Sequence, residues 1–336
     1  MFNKKDVDKK VKEKGYLDFP VSEGGEELSD AIRRMKEEKD AVILAHYYQR
    51  PEVQDLADFT GDSLALSEKA AATKAKMILF AGVHFMAETA KILSPEKKVL
   101  LPDLNAGCSM ADSCPANEFE RFIKKYPGSV VVTYVNTTAE VKALSDVVCT
   151  SSNAVKIVEA FPKDKRIIFA PDKNLGEYVR KSTGREIVLW DGACHVHVRF
   201  SACKIRRMKE DYPEAVVIAH PECEREVLEM ADFIGSTSQL ISFARKDERK
   251  TYIVATEPGV IYRMSQENPD KLFLPAPPKV PTECNCSECE FMKMITLEKI
   301  YNTLKYEQPE IVLDKEMIEK AREPIERMLE ITARKQ

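Results

Sequence analysis

The chain has 336 residues, of which 44% are hydrophobic and 32% charged, with a formal net charge of -4 at pH 7. That length allows two or three packed units. The mildly acidic balance excludes a global positive field for nucleic acid or an anionic membrane, so any anionic substrate must be held by local donors. No apolar run reaches the ~18–20 residues needed to span a bilayer. The opening "MFNKKDVDKKVKEKGYLDF" has no apolar stretch of the secretory kind. The expectation is a cytoplasmic protein whose thiols stay reduced, so its nine cysteines read as core residues, catalytic groups or metal ligands.

In chain order, a charged helical lead-in (1–24) comes before a sequence pattern that occurs three times. The copies are "AVILAHYYQRPEVQDLADFTGDS" from Ala41, "SVVVTYVNTTAEVKALSDVVCTS" from Ser129 and "AVVIAHPECEREVLEMADFIGST" from Ala215. They align without a gap. His46 falls on Tyr134 and His220, Tyr48 on Asn136 and Glu222, Asp58 on Asp146 and Asp232, and Ser63 on Ser151 and Thr237. So many matches in one register mark an internal repeat. Each copy continues through further β-branched runs, "KMILFAG", "RIIFAPD" and "TYIVATE", then "KVLLPD", "EIVLWD" and "KLFLPA". Helical patterns such as "SLALSEKAAATKA", "SSNAVKIVEAFPK" and "STSQLISFARKDE" separate the runs. Strands alternating with helices predict α/β units with parallel sheets of about four strands each. The predicted limits are 25–113, 114–200 and 201–290, with closing helices in 291–336.

In such sheets ligands bind beyond the carboxyl ends of the strands. There the repeat places His46, Tyr134 and His220 at first-strand ends. It places Ser63, Ser151 and Thr237 where a second strand turns into a helix. A hydroxyl at that turn can cap the helix or, beside the unpaired N–H groups, help hold an anion. Three equivalent hydroxyls beside three polar strand ends favour a shared site.

A cysteine follows the fourth strand of each unit: Cys108 in "DLNAGCSMADSC", Cys194 in "LWDGACHVHVRF", and a cluster of Cys284, Cys286 and Cys289 in "PTECNCSECEF". The cluster has no fourth ligand after it, which disfavours a self-contained zinc knuckle. Cys114, Cys149, Cys203 and Cys223 lie off this position and read as packing residues. Three thiolates at one meeting point suit an iron–sulfur cluster with one open iron, a Lewis acid suited to dehydration. Two other readings stay open on residues alone. One is an iron–sulfur redox protein with Cys284 and Cys286 as a switch pair. The other is a zinc-dependent hydrolase or lyase using Cys194, His195 and His197.

The blocks "LAHYYQ", "DLADFTGDSLALS", "GVHFMAETAKIL", "PDLNAGCSMAD", "TYVNTTAEVKALSD", "CTSSNA", "PDKNLG", "WDGACHVH", "AHPEC", "GSTSQ", "ATEPG" and "FMKMITLEK" resemble the quinolinate synthase (NadA) family over residues 25–305 or so. The resemblance implies three pseudo-symmetric αβα domains around a central active site. It implies a [4Fe–4S] cluster held by three cysteines with one iron open to substrate. It also implies a transferase that condenses iminoaspartate with dihydroxyacetone phosphate to quinolinate, phosphate and water in NAD biosynthesis. A functional link to an iminoaspartate-producing enzyme follows. The implied ligands are Cys108, Cys194 and Cys289, the last because it stands just before the aromatic-Met block "FMKM", which leaves Cys284 and Cys286 without a cluster role. The implied substrate-binding residues are His46, Tyr48, Ser63, Tyr134, Asn136 and Ser151, then His197, His220, Glu222, Ser236 and Thr237. Of these, Tyr48, Glu222 and His220 are the implied proton carriers.

Overall fold

The structure is a computed structural model that describes residues 2–21, 27–282 and 286–334. Among the described residues there are twelve strands in three separate sheets of four, all parallel. The first holds β1 (Ala41–His46), β2 (Phe59–Gly61), β3 (Met77–Ala81) and β4 (Lys98–Leu100). The second holds β5 (Val130–Tyr134), β6 (Val147–Cys149), β7 (Ile167–Ala170) and β8 (Ile187–Leu189). The third holds β9 (Val216–Ala219), β10 (Phe233–Ile234), β11 (Thr251–Ala255) and β12 (Leu272–Pro275). Each sheet has the same order, second–first–third–fourth: β2-β1-β3-β4, β6-β5-β7-β8 and β10-β9-β11-β12. Three αβα units are therefore present, as the repeat predicts.

The strands are short β-branched runs buried along nearly their whole length. β3, β7 and β9 are buried at every residue, as expected where helices cover both faces of a parallel sheet. Helices cross from second to third strand at Ser63–Ala72, Ala154–Glu159 and Thr237–Lys246. Others cross from third to fourth at His84–Leu93, Lys173–Thr183 and Gly259–Glu267. The lead-in forms helix Lys4–Lys14, with Asn3 and Asp6 in a reciprocal capping box, and the closing helices are Leu297–Tyr306 and Lys315–Ala333.

The repeated aspartate has a structural cause. Asp58, Asp146 and Asp232 stand just before the edge strands β2, β6 and β10. Each accepts the backbone N–H of a first-strand residue through Oδ2: Ile43 at 2.8 Å, Val131 at 2.7 Å and Val217 at 2.8 Å. The aspartates' own N–H groups return the bond to the same three carbonyls. Each carboxylate thus extends the ladder by one pairing and fixes the register in which the second strand docks.

The chain forms two compact units. One comprises Met1–Cys108 with Glu290–Arg322 and carries the first sheet. Within it, Val7, Leu17 and Phe19 pack together under the lead-in helix, and Arg322 donates two hydrogen bonds to the Ile92 carbonyl. The other comprises Ser109–Cys289 with Glu323–Gln336 and carries the second and third sheets. Its second sheet buries Phe119, Val131, Val141 and Ile168, and its third buries Phe200, Ile205, Val217 and Ile253. Among the described residues, no helix is long and apolar enough to cross a membrane.

Candidate active site

In the unit that carries the second and third sheets, the strand ends β5 and β9 deliver a buried polar run. Tyr134, the last residue of β5, donates its hydroxyl to Glu222 Oε1 at 2.6 Å. The other carboxylate oxygen lies 2.9 Å from His197 Nδ1. That nitrogen is also 3.2 Å from Cys194 Sγ, and His197 Nε2 is 3.0 Å from the Thr256 hydroxyl. Tyr134, His197 and Glu222 are all buried. The arrangement suits an imidazole that donates from Nδ1 to the carboxylate and accepts from Thr256 at Nε2.

Burial pushes the Glu222 carboxyl up, but the imidazoles of His197 and His220 and the Tyr134 hydroxyl more than offset it. The net direction is downward, to about 2. The ionised form of Glu222 is the one that fits the Tyr134 and His197 contacts. The loop bearing it is also pinned, since Asn174 donates to the Glu222 carbonyl at 3.1 Å.

His220 follows β9 directly. Its Nδ1 accepts the Glu222 backbone N–H at 3.4 Å, which puts the ring proton on Nε2, 3.1 Å from Ser151 Oγ. Ser151 thereby receives a donor and keeps its own hydroxyl proton to give to a ligand. The His220 and His197 rings lie 4.7 Å apart. Asn136, two residues past β5, has its Oδ1 buried with no hydrogen-bond partner among the described residues.

The hydroxyls at the helix starts divide by role. Ser236 is the cap of helix Thr237–Lys246, in a capping box with Gln239, and accepts a hydrogen bond from Ser152 at 2.8 Å. Thr237 is the first helical residue after that cap. In the other unit Ser63 likewise follows the cap, which is Asp62, accepting from Ala65 N at 3.1 Å. Simple capping, the bland explanation for Ser63 and Thr237, is thus already performed by their neighbours. Ser151 does not cap either: helix Ala154–Glu159 begins three residues later, at a turn where Asn153 Oδ1 takes the Thr150 N–H.

The unit carrying the first sheet repeats the histidine motif. His46 ends β1, and its Nδ1 accepts the Tyr48 N–H at 3.1 Å, as His220 does from Glu222. The His46 and Tyr48 rings meet edge to face at 4.4 Å. The "FMKM" block positions this turn: Lys293 donates to the Tyr48 carbonyl at 2.6 Å, and Arg50 donates back to the Lys293 carbonyl.

Burial sorts the cysteines. Cys108, Cys194 and Cys289 are half-buried thiols, Cys114, Cys149 and Cys223 are fully buried, and Cys203 is exposed. Burial pushes the Cys114 thiol up to about 12 and raises Cys149 and Cys223 as well, so these three are poor thiolate ligands. Cys286 is disulfide-bonded, contrary to the expectation of reduced thiols throughout, and Cys284 lies outside the described residues. His195 Nδ1 lies 2.6 Å from Ser109 Oγ.

Sequence reasoning missed Asp172, Thr256 and Glu257. All follow a third strand and none lies in the aligned first-strand segments. Asp172 is fully buried; burial and the Glu222 charge push its carboxyl up, and the backbone N–H groups of Leu175, Cys194 and Asn174 pull the other way. The net direction is upward, although both oxygens accept backbone N–H groups. The available signal was the pair "APD" and "ATE", an acidic residue two places past each of two third strands.

Residues 30–330 match the model of the family described as quinolinate synthetase A protein. The chain belongs to that family. It is 57% identical over 306 residues to a quinolinate synthase of Rippkaea orientalis, covering 91% of this chain and 94% of that one. The relative in Gloeothece citriformis is likewise 57% identical with the same coverage. The one in Thermosynechococcus vestitus is 56% identical, covering 91% of this chain and 96% of its own. Family membership makes the chain an enzyme, and the polar group around Glu222 is its candidate active site. Cys194, His197 and Glu222 also bring ligand atoms within 4.8 Å of one another, close enough to hold a metal ion.

Proposed function

We propose that the chain is a quinolinate synthase, a transferase that condenses iminoaspartate with dihydroxyacetone phosphate, releasing phosphate and water, in NAD biosynthesis. The observation that carries this reading is the buried run from Tyr134 through Glu222 and His197 to the Cys194 thiol. It puts a carboxylate proton acceptor next to a metal-binding type of sulfur. In this reading the three αβα domains occupy 25–113, 114–200 and 201–290, after a lead-in of 1–24 and before C-terminal helices in 291–336. The protein works in the cytoplasm, supplied by an iminoaspartate-producing enzyme.

Cys108, Cys194 and Cys289 would hold a [4Fe–4S] cluster. The donor set fits, since these three thiols are half-buried while the inert ones are sealed in cores. Bound there, the cluster supplies an iron with an open position, a Lewis acid for loss of a hydroxyl. The protein's own groups do the rest. Hydroxyls at Ser63, Ser151 and Thr237, near helix starts, hold carboxylate and phosphate without net positive charge. His46 and Asn136 add a ring N–H and an amide, and the buried Asn136 Oδ1 calls for a donor that an imine or hydroxyl of a ligand would provide. Ser236 keeps the start of helix Thr237–Lys246 rigid. Tyr134 and His197 orient the Glu222 carboxylate, which becomes neutral when it accepts a proton, and His220 and Tyr48 are the partners that return protons to the substrate.

The Cys194, His197 and Glu222 group favours one second reading, a mononuclear zinc enzyme. Metal analysis of anaerobically purified protein, with calorimetric titration of quinolinate, separates the two. The proposed function expects about four irons per chain, no stoichiometric zinc, and quinolinate binding. One zinc per chain, with no iron and no quinolinate binding, would replace it.

A further inference from the structure

Two buried carboxylates outside the substrate-binding set make the same contact. Asp172 stands two residues past β7. Its Oδ1 accepts the Leu175 N–H at 2.7 Å, capping helix Lys173–Thr183, and its Oδ2 accepts the Cys194 N–H at 3.0 Å. Glu257 stands two residues past β11. Its Oε2 accepts the Gly259 N–H at 2.7 Å, at the start of helix Gly259–Glu267, and its Oε1 accepts the Cys289 N–H at 3.3 Å. Both side chains are 0% exposed. Each carboxylate thus clips a rigid helix start to the backbone of a half-buried cysteine.

We propose that Asp172 and Glu257 are positioning residues that fix the Cys194 and Cys289 thiols for metal binding. The inference rests on the reading of Cys194 and Cys289 as cluster ligands. A peptide N–H fixed at a cysteine restricts its φ and ψ, and so the direction of its Cα–Cβ bond. A thiol aimed in advance loses less entropy on ligation.

The three units differ in how the clip is made, and the difference predicts its weight. In the first, the corresponding residue is Val83, which offers no side-chain cap. There the next residue, His84, ties the helix start to the cysteine loop by donating its N–H to the Ala106 carbonyl at 2.7 Å, two residues before Cys108. The second unit has both devices, since Lys173 N–H donates to the Gly192 carbonyl at 2.9 Å, two residues before Cys194. In the third, the residue after Glu257 is Pro258, which has no N–H to give. Among the described residues the Glu257 carboxylate is the tie seen there, so its loss should be the more damaging.

The test uses Asp172→Asn and Glu257→Gln in the full chain, each of which sets an amide NH2 against a backbone N–H. Asp232→Asn is the control, because Asp232 also accepts a buried backbone N–H but touches no cysteine loop. The first readout is the rate of iron loss to a chelator from anaerobically reconstituted protein. Partners of this kind typically change metal affinity about 10- to 100-fold, so both variants should lose iron about tenfold faster or more, with Glu257→Gln the faster. Asp232→Asn should lower the melting temperature without changing iron loss per folded chain. The second readout needs no metal: alkylation of iron-free protein followed by peptide mass analysis. Asp172→Asn should speed labelling of Cys194 and leave Cys289 unchanged, and Glu257→Gln should do the converse. If one variant does not fold, the other carries both readouts.

Iron loss and labelling at wild-type rates in a folded variant would overturn the proposal. Labelling that rises equally at both cysteines, or in Asp232→Asn as well, would also overturn it by showing general loosening. If wild-type protein binds no iron, the cluster reading fails. Cysteine-specific labelling then still decides whether the carboxylates aim the thiols.

Discussion

Replacing Glu222 by glutamine probes the candidate site at its most connected point. The carboxylate accepts the Tyr134 hydroxyl at 2.6 Å and faces His197 Nδ1 at 2.9 Å, in a side chain that is 3% exposed. Glutamine can accept from one of these donors and must turn its NH2 toward the other. A hydrogen bond to a charged group is worth about 1.5–3 kcal/mol, so the positional part of the loss is about 10- to 150-fold. If Glu222 also accepts the proton, removal of a general base adds its own factor, typically about 10²–10⁴. Turnover should therefore fall well below one hundredth. Tyr134→Phe separates the two parts, since it removes one donor and leaves the base; it should cost about 10- to 150-fold. The double variant should be little worse than Glu222→Gln alone, because residues acting as a unit are not additive. The assay is quinolinate formation by anaerobic protein, normalised to iron content, with calorimetric quinolinate binding as a check that the site persists. Turnover of Glu222→Gln within threefold of wild type at full iron content would remove Glu222 from the chemistry.

Other consequences follow from the same geometry. Asp146→Ala leaves the Val131 N–H without its 2.7 Å acceptor and should lower unfolding free energy by about 1–3 kcal/mol in denaturant titrations. In native protein near pH 8, iodoacetamide should label exposed Cys203 and spare Cys114, Cys149 and Cys223, whose thiols burial keeps protonated; labelling of any of the three would contradict their assigned burial. Alanine at Cys108, Cys194 or Cys289 should abolish iron retention, while Cys286→Ala, at a disulfide-bonded position, should keep it. A colourless Cys286→Ala beside a brown Cys289→Ala would reverse the choice of third ligand.

Much of the fold could be read from the chain because a parallel sheet buried on both faces demands continuous β-branched runs, and β1, β5 and β9 supply them in one register. The matched aspartates were visible as a pattern, but their cause was not. Only the paired strands show that Asp58, Asp146 and Asp232 each complete a ladder. The polar strand ends were legible for the same reason as the strands: His46, Tyr134 and His220 sit where the apolar run stops. Helix starts were less so. Ser63 and Thr237 looked like caps, yet the caps are Asp62 and Ser236, one residue earlier, a shift that local pattern does not resolve. Asp172, Thr256 and Glu257 escaped notice because their partners, Cys194, His197 and Cys289, lie 22, 59 and 32 residues away. Contacts over such separations exist only once the sheets have brought the loops together. The disulfide at Cys286 departs from the main expectation, which redox compartment governed; only the alternative that read Cys284 and Cys286 as a switch pair allowed for it.

The central claim is that this chain makes quinolinate. The most direct measurement is an anaerobic assay in which iron-reconstituted protein receives iminoaspartate and dihydroxyacetone phosphate, with quinolinate and phosphate quantified together. The account predicts quinolinate and phosphate released in equal amounts, repeatedly per chain, and no product from a Cys194→Ala variant. Iron-replete, folded protein that yields no quinolinate from these two substrates would contradict it.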